Sequence, residues 1–118
     1  MNIENFRDYC LNKKGVTESF PFDETTFVFK VMDKMFALTD IDSDFRINLK
    51  CDPERAIELR EMYPKIIIAG HHMNKKHWNT IIMDGTISDK FIIELINHSY
   101  DLVVSKLSKI KQQELDAL

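Results

Sequence analysis

Glycine is scarce in this chain of 118 residues: Gly15, Gly70 and Gly85 stand far apart. A loop that cradles phosphates needs several glycines together, so that class of site is excluded. Two cysteines, Cys10 and Cys51, are too few for a disulfide scaffold. Both fall inside apolar patterns, where a free thiol behaves as a small hydrophobe, and the cytoplasm is the expected location. No uninterrupted apolar run exceeds four residues, as in Ile66-Ile67-Ile68-Ala69, against about 18 for a membrane span. The opening stretch carries Glu4 and Asp8 and no apolar run, which is not the pattern of a secretory signal. Excess positive charge is lacking too: the formal net charge is -3, so the surface is not basic all over.

What is present fits one ordinary soluble domain over residues 1–118, since hydrophobic residues make up 44% and charged residues 30% of the chain. Ile3, Phe6, Cys10 and Leu11 recur at helical spacing behind Asn2, a natural cap, and Gly15 is a natural stop. Val16 to Thr25 shows no consistent period and reads as an ordered loop. Thr26 to Val31 and Lys34 to Thr39 alternate about the tight Met32-Asp33 connection. Phe45 to Cys51 is the clearest strand, with Phe45, Ile47, Leu49 and Cys51 inward and Arg46, Asn48 and Lys50 outward. Asp52-Pro53-Glu54 opens a helix that must end before Pro64. Two short strands follow, Ile66 to Ala69 and His77 to Met83. From Ser88-Asp89 a long helical stripe runs through Ile92, Leu95, Ile96, Val103, Leu107 and Ile110, and the tail from about residue 111 is expected to fray.

The order is therefore α-β-β-β-α-β-β-α, and tight turns make the strands antiparallel. Three helices with one apolar stripe each cover only one face of a five-stranded sheet, which gives a two-layer α+β sandwich with the other face open to water.

Two groups of residues could carry binding. From Lys65 to Asn79 there are three lysines, three histidines and no acid, whereas Thr17 to Asp44 has seven acids against two lysines. Such a polarised field draws anions to the basic segment although the whole chain is acidic. In that segment Lys75, Lys76, His77, Trp78 and Asn79 combine phosphate-binding charge with an aromatic platform for a base. The plainer reading is a solvated loop with Trp78 entering the core. The second group is the outward row Arg46, Asn48 and Lys50, with Lys30 from a neighbouring strand. These would line the open sheet face; equally, lysine and arginine there keep an exposed sheet from aggregating.

Enzyme chemistry is not expected. There is no nucleophile elbow and no histidine-glutamate zinc motif. Cys51 with His77 as its base would be a possible nucleophile pair, but Cys51 lies on the apolar side of its strand. His71, His72 and His77 match no compact zinc spacing, so neither a metal nor another cofactor is expected. His98 and Tyr100 read as boundary residues beside the apolar stripe of the last helix, and the six methionines as core.

The runs Gly15-Val16-Thr17-Glu18-Ser19-Phe20-Pro21-Phe22, Asn48-Leu49-Lys50-Cys51-Asp52-Pro53-Glu54, His72-Met73-Asn74-Lys75-Lys76-His77-Trp78-Asn79-Thr80 and His98-Ser99-Tyr100-Asp101-Leu102-Val103 together resemble the MmcQ/YjbR family of small bacterial proteins, from near residue 3 to about residue 107. The resemblance implies an α+β sandwich similar to type III secretion chaperones and to the frataxin-like CyaY fold. It also implies DNA binding, through a proposed double-wing arrangement, and supplies no catalytic residues. Fold alone does not fix function. The expected function is thus a non-enzymatic module that contacts DNA phosphates through Lys30, Arg46, Asn48, Lys50 and the Lys75–Asn79 segment. Its alternatives are a protein-interaction or chaperone-like module, and a small anionic-ligand or metal-binding protein of frataxin type using Asp40, Asp42 and Asp44.

Overall fold

The computed structural model describes every residue except Ser43, His71 and His72. The three expected caps each accept a hydrogen bond from the backbone N–H three residues on. Asn2 takes it from Asn5 at 2.8 Å, Asp52 from Arg55 at 3.3 Å and Ser88 from Phe91 at 3.2 Å. They open α1 (Ile3–Leu11), α2 (Pro53–Met62) and α3 (Asp89–Ser105). The strands are β1 (Val16–Ser19), β2 (Thr26–Val31), β3 (Lys34–Asp40), β4 (Arg46–Lys50), β5 (Ile67–Ala69) and β6 (Trp78–Ile82).

All neighbouring strands pair antiparallel, in the order β1-β2-β3-β4-β6-β5. The sheet thus has six strands where five were expected. The additional one is β1, which falls in the segment read as a loop. Its residues Val-Thr-Glu-Ser are mostly polar and pair only with β2, from Val16↔Val31 to Ser19↔Val28. An edge strand built mainly of polar residues shows no apolar alternation to read. What holds it is tertiary: the guanidinium of Arg7 on α1 donates to both oxygens of Glu18, at 2.7 and 2.5 Å.

One cluster joins Phe6 and Cys10 of α1, Ala56 and Leu59 of α2, and the buried stripe of α3 to Phe29, Ile47, Leu49, Ile67 and Ile81 of the sheet. Phe6 meets Phe29 edge to face at 5.7 Å between ring centres. The helices therefore pack on one sheet face. Strand β3 departs from strict alternation, because the β2–β3 register shifts between Phe29 and Lys30, with Phe29 opposite Ala37 and Lys30 opposite Met35. Phe36 is the extra residue of this bulge. It and Ala37 both join the helix-side cluster, while Met35 and Leu38 turn to the other face.

The tail does not fray. Ser108 caps a fourth helix, α4 (Lys109–Asp116), by accepting from Lys111 N at 3.2 Å. Gln112 Nε2 donates to the carbonyls of Val104 and Leu107 at 3.1 Å, taking up the exposed end of α3. Only Leu115 of this helix is buried, so its amphipathic signal is slight. Leu115 lies over Gly15, whose φ of +74° is the left-handed conformation that glycine adopts without cost. A Cβ at Gly15 would stand 2.5 Å from Leu115 Cδ1. The Met32-Asp33 turn reaches the same region without glycine, at φ 47° and 69°.

Opposite effects are expected at the two turns. Gly15→Ala should lose about 1–2 kcal/mol in urea unfolding, from left-handed strain plus displacement of Leu115. Asp33→Gly should gain about 0.5–1 kcal/mol, since the Asn-Gly and Asp-Gly preference of such turns reflects the same strain. The Asp33–Lys111 ion pair it removes, 3.9 Å long with a 92% exposed carboxylate, offsets little of that gain.

Candidate functional site

The register puts Lys30, Arg46, Asn48 and Lys50 together on the face turned away from the helices. Asn48 stands between Leu38 on β3 and Thr80 on β6, and Thr80 Oγ1 donates to Asn48 Oδ1 at 2.5 Å. Lys30 and Lys50 fall at one level of the sheet, since the residues preceding them, Phe29 and Leu49, are both partners of Ala37. Arg46 lies at the other end of β4, where Thr26 is opposite Asp40 on the neighbouring pair of strands.

This face is not bare. Val28, Leu38 and Trp78 form a second buried cluster with Met35 and Met73 packed on it, and Trp78 is only 5% exposed. Trp78 enters the structure at the first position of β6, opposite Lys50, so strand alternation sends the next side chain, Asn79, to the helix side. There Asn79 is buried, and its Nδ2 donates to the carbonyl of Ala56 on α2 at 3.3 Å. Of the run Lys75 to Asn79, then, the two lysines are exposed, His77 is half-buried, and Trp78 and Asn79 are buried on opposite faces. Gly70 makes this seating possible: a Cβ there would meet Trp78 Cβ at 2.7 Å. Asn74 shapes the loop, its carbonyl accepting from His77 N and Trp78 N and its side chain from Lys76 N. His71 and His72 lie outside the described residues.

Beside the tryptophan cluster the same face opens into a groove of about 660 Å³. Leu38, Asn48 and Thr80 line it from the sheet, with Phe22 and Met73 as apolar walls. Asp23, Asp40, Asp44 and Arg46 supply its charge. The cationic row is thus divided. Lys30 and Lys50 lie at one level, whereas Arg46 shares the groove with three carboxylates and reaches Asp44 at 3.9 Å.

The two thiols belong to the core. Burial pushes the thiol of Cys10 up to about 12 and that of Cys51 up to about 11, so both stay protonated and inert at neutral pH. Among the described residues no three His, Cys, Asp or Glu side chains come together as a metal-holding group, and no helix is long and apolar enough to cross a membrane.

Sequence reasoning missed a run of polar contacts on α3. Tyr9 of α1 donates from its hydroxyl to Asn97 Oδ1 at 2.7 Å. The Tyr100 hydroxyl donates to Lys14 O at 2.6 Å, and its ring meets Phe36 edge to face at 5.5 Å. His98 Nε2 accepts from Asp52 N at 3.2 Å, at the entry to α2. Ser99 is fully buried, and its hydroxyl donates to Phe36 O at 2.5 Å and accepts from Lys50 N at 2.9 Å. Four successive residues thereby tie α3 to α1, to both central strands and to α2. Read alone, they look like the polar border of an amphipathic helix.

Fold and site together define a small α+β domain: an antiparallel six-stranded sheet, helices on one face and a partly lined groove on the other. The YjbR family model matches residues 11–102. The chain is 39% identical over 116 residues to YbdF of Escherichia coli O157:H7, an alignment covering 95% of this chain and 92% of that one. To YjbR of Escherichia coli K12 it is 32% identical, with 98% of each chain covered. Among solved structures, Deinococcus radiodurans protein DR2400, described as a DUF419 domain, superposes with a TM-score of 0.91 at 44% identity, covering 98% of this chain and 88% of that one. A Pseudomonas syringae protein superposes with a TM-score of 0.69 at 31% identity, over 86% of this chain and 98% of that one. The chain belongs to the YjbR family.

Two outcomes are expected from the α3 contacts. Ser99→Ala leaves the buried carbonyl of Phe36 and the part-buried N–H of Lys50 without this partner and should cost about 2–4 kcal/mol in urea unfolding. The second concerns His98, which burial, with a lesser push from Arg55, holds below its ordinary protonation range. The unfolded chain then binds the proton more readily, so His98 contributes fully above the unfolded value and destabilises as pH falls below it. Unfolding free energies measured between pH 7 and about 5.5 should fall more steeply for the wild type than for His98→Gln.

Proposed function

We propose that the protein is a non-enzymatic binding module that holds its guest on the sheet face turned from the helices, in the groove beside Trp78. One observation carries this reading: that face has a groove of about 660 Å³, within the roughly 300–1,000 Å³ of small-ligand sites. Its walls are apolar at Leu38, Phe22 and Met73, and polar groups converge from Asn48, Thr80 and Arg46. The buried thiols and the structural bond of His98 favour binding over catalysis.

Backbone-amide NMR spectra with a panel of neutral, cationic and anionic aromatic fragments test it. Shifts should concentrate at Leu38, Asn48 and Thr80. Shifts concentrated on the helix side, or none at any fragment charge, would overturn the reading.

DNA binding is a second reading, supported by Lys30 and Lys50 lying at one level of that face and by the exposed lysines Lys75 and Lys76 preceding β6. If these four contact phosphates, the affinity for a short duplex should fall about a hundredfold between roughly 50 and 200 mM salt. Lys75→Ala with Lys76→Ala should lower the salt slope by about two. No change in fluorescence anisotropy at the lower salt would refute it. The three groove carboxylates, which repel a phosphate backbone, keep this reading second.

A further inference from the structure

We propose that the groove takes a small uncharged aromatic compound with a hydrogen-bond acceptor, its ring between Phe22, Leu38 and Met73 and its acceptor on the side-chain amide of Asn48. This rests on the groove being the binding site and adds the chemistry of the guest.

The charged groups lining the groove already have partners within the protein. Thr25 N at 2.9 Å and Thr26 N at 2.7 Å donate to Asp23 Oδ1, and Thr26 Oγ1 donates to Oδ2 at 3.1 Å. Asp40 Oδ1 accepts from Asp42 N at 2.9 Å, and Arg46 reaches Asp44 at 3.9 Å. Asp40 and Asp44 have further contacts of their own. A charged guest would have to compete with all of these.

Asn48 differs from them. Thr80 Oγ1 donates to its Oδ1 at 2.5 Å, which orients the carboxamide and leaves Nδ2 as its donor. Nδ2 makes no hydrogen bond to any described residue. Asn48 is half-buried at the middle of β4, where it lines the groove. A half-buried N–H of this kind gains from a carbonyl oxygen or a ring nitrogen.

The walls select the body of the guest. Leu38 forms the apolar floor, Met73 brings a thioether, and Phe22 lines the opening while 61% exposed. An exposed phenyl ring pairs with a second ring, and a thioether with a ring edge. A saturated body of the same size buries a similar area but makes neither contact.

Trp78 is the only tryptophan of the chain and packs with Leu38 and Met73, which also line the groove, so its emission reports occupancy. The test titrates the full chain with benzamide and with cyclohexanecarboxamide, which keeps the acceptor and lacks the aromatic ring. Benzylamine and benzoate serve as charged comparisons. Binding is followed by Trp78 fluorescence, by the backbone amides of Leu38 and Thr80 and by the side-chain Nδ2 protons of Asn48. Benzamide should bind at least about threefold tighter than the saturated amide, and Phe22→Leu, at an exposed position, should remove that preference. The Asn48 Nδ2 protons should shift with either amide. Asn48→Asp keeps the acceptor for Thr80 and loses the donor, so it should weaken benzamide at least about fivefold. Equal binding of the two amides at the groove would overturn the aromatic class and leave the groove reading standing. Tighter binding of benzylamine or benzoate there would overturn the uncharged class, again leaving the groove. Backbone shifts without movement of Asn48 Nδ2 would remove the seat assigned to the acceptor. Silence from all four compounds at the groove would remove both readings.

Discussion

The hydroxyl of Ser99 occupies the place where two central strands would otherwise meet. Below it, β3 and β4 pair regularly from Thr39↔Ile47 to Ala37↔Leu49. The next rung would join Phe36 and Lys50, but the β3–β4 pairing stops at Ala37↔Leu49, beside the bulge that adds Phe36 opposite β2. The serine accepts from one strand and donates to the other, so both backbone groups stay satisfied while the strands part. A hydroxyl suits the task because it is donor and acceptor at once and small enough for the buried surface of α3. Its neighbours fasten the same turn of α3 to α1 through Tyr9, to Lys14 just beyond α1 through Tyr100, and to the start of α2 through His98. The helical layer thereby has one orientation on the sheet.

That bulge also decides what the far face looks like. Because Phe36 and Ala37 both turn to the helices, Met35 and Leu38 are left on the other side. Met35 and Leu38 gather Val28, Trp78 and Met73 into the second cluster, and Leu38 becomes the floor of the groove. Strict alternation along β3 would have put a different set of side chains on that face. The apolar part of the groove is in this sense a by-product of how the helices are attached.

The electrostatics of the face follow from strand direction. β2 and β4 run the same way, both antiparallel to β3, so Lys30 and Lys50 share a level while Arg46 falls near Asp40 and Asp44. A row that looks continuous in one dimension is cut into a cationic part and an acidic groove with one guanidinium. Family membership accounts for the shared fold, and the solved relative with a TM-score of 0.91 has the same architecture. What the groove holds is a matter of its own geometry.

Local patterns were sufficient wherever a signal repeats within one element. The caps at Asn2, Asp52 and Ser88, the alternation of Phe45 to Cys51 and the outward set Arg46, Asn48 and Lys50 all follow from period and capping chemistry, and the chain alone determined them. β1 was illegible because an edge strand of Val-Thr-Glu-Ser depends on Arg7, eleven residues before Glu18, and on β2 for its pairing. α4 was illegible because only one of its side chains, Leu115, is buried and its other tie, Gln112, is polar. Trp78 and Asn79 read as one surface motif, but both lie on β6, whose alternation sends the two side chains to opposite faces. Ser99 carried no signal at all, since a hydroxyl that mends a broken ladder does so through partners 63 and 49 residues away. Periodicity is a property of neighbours along the chain, whereas a groove is made of residues that only folding brings side by side.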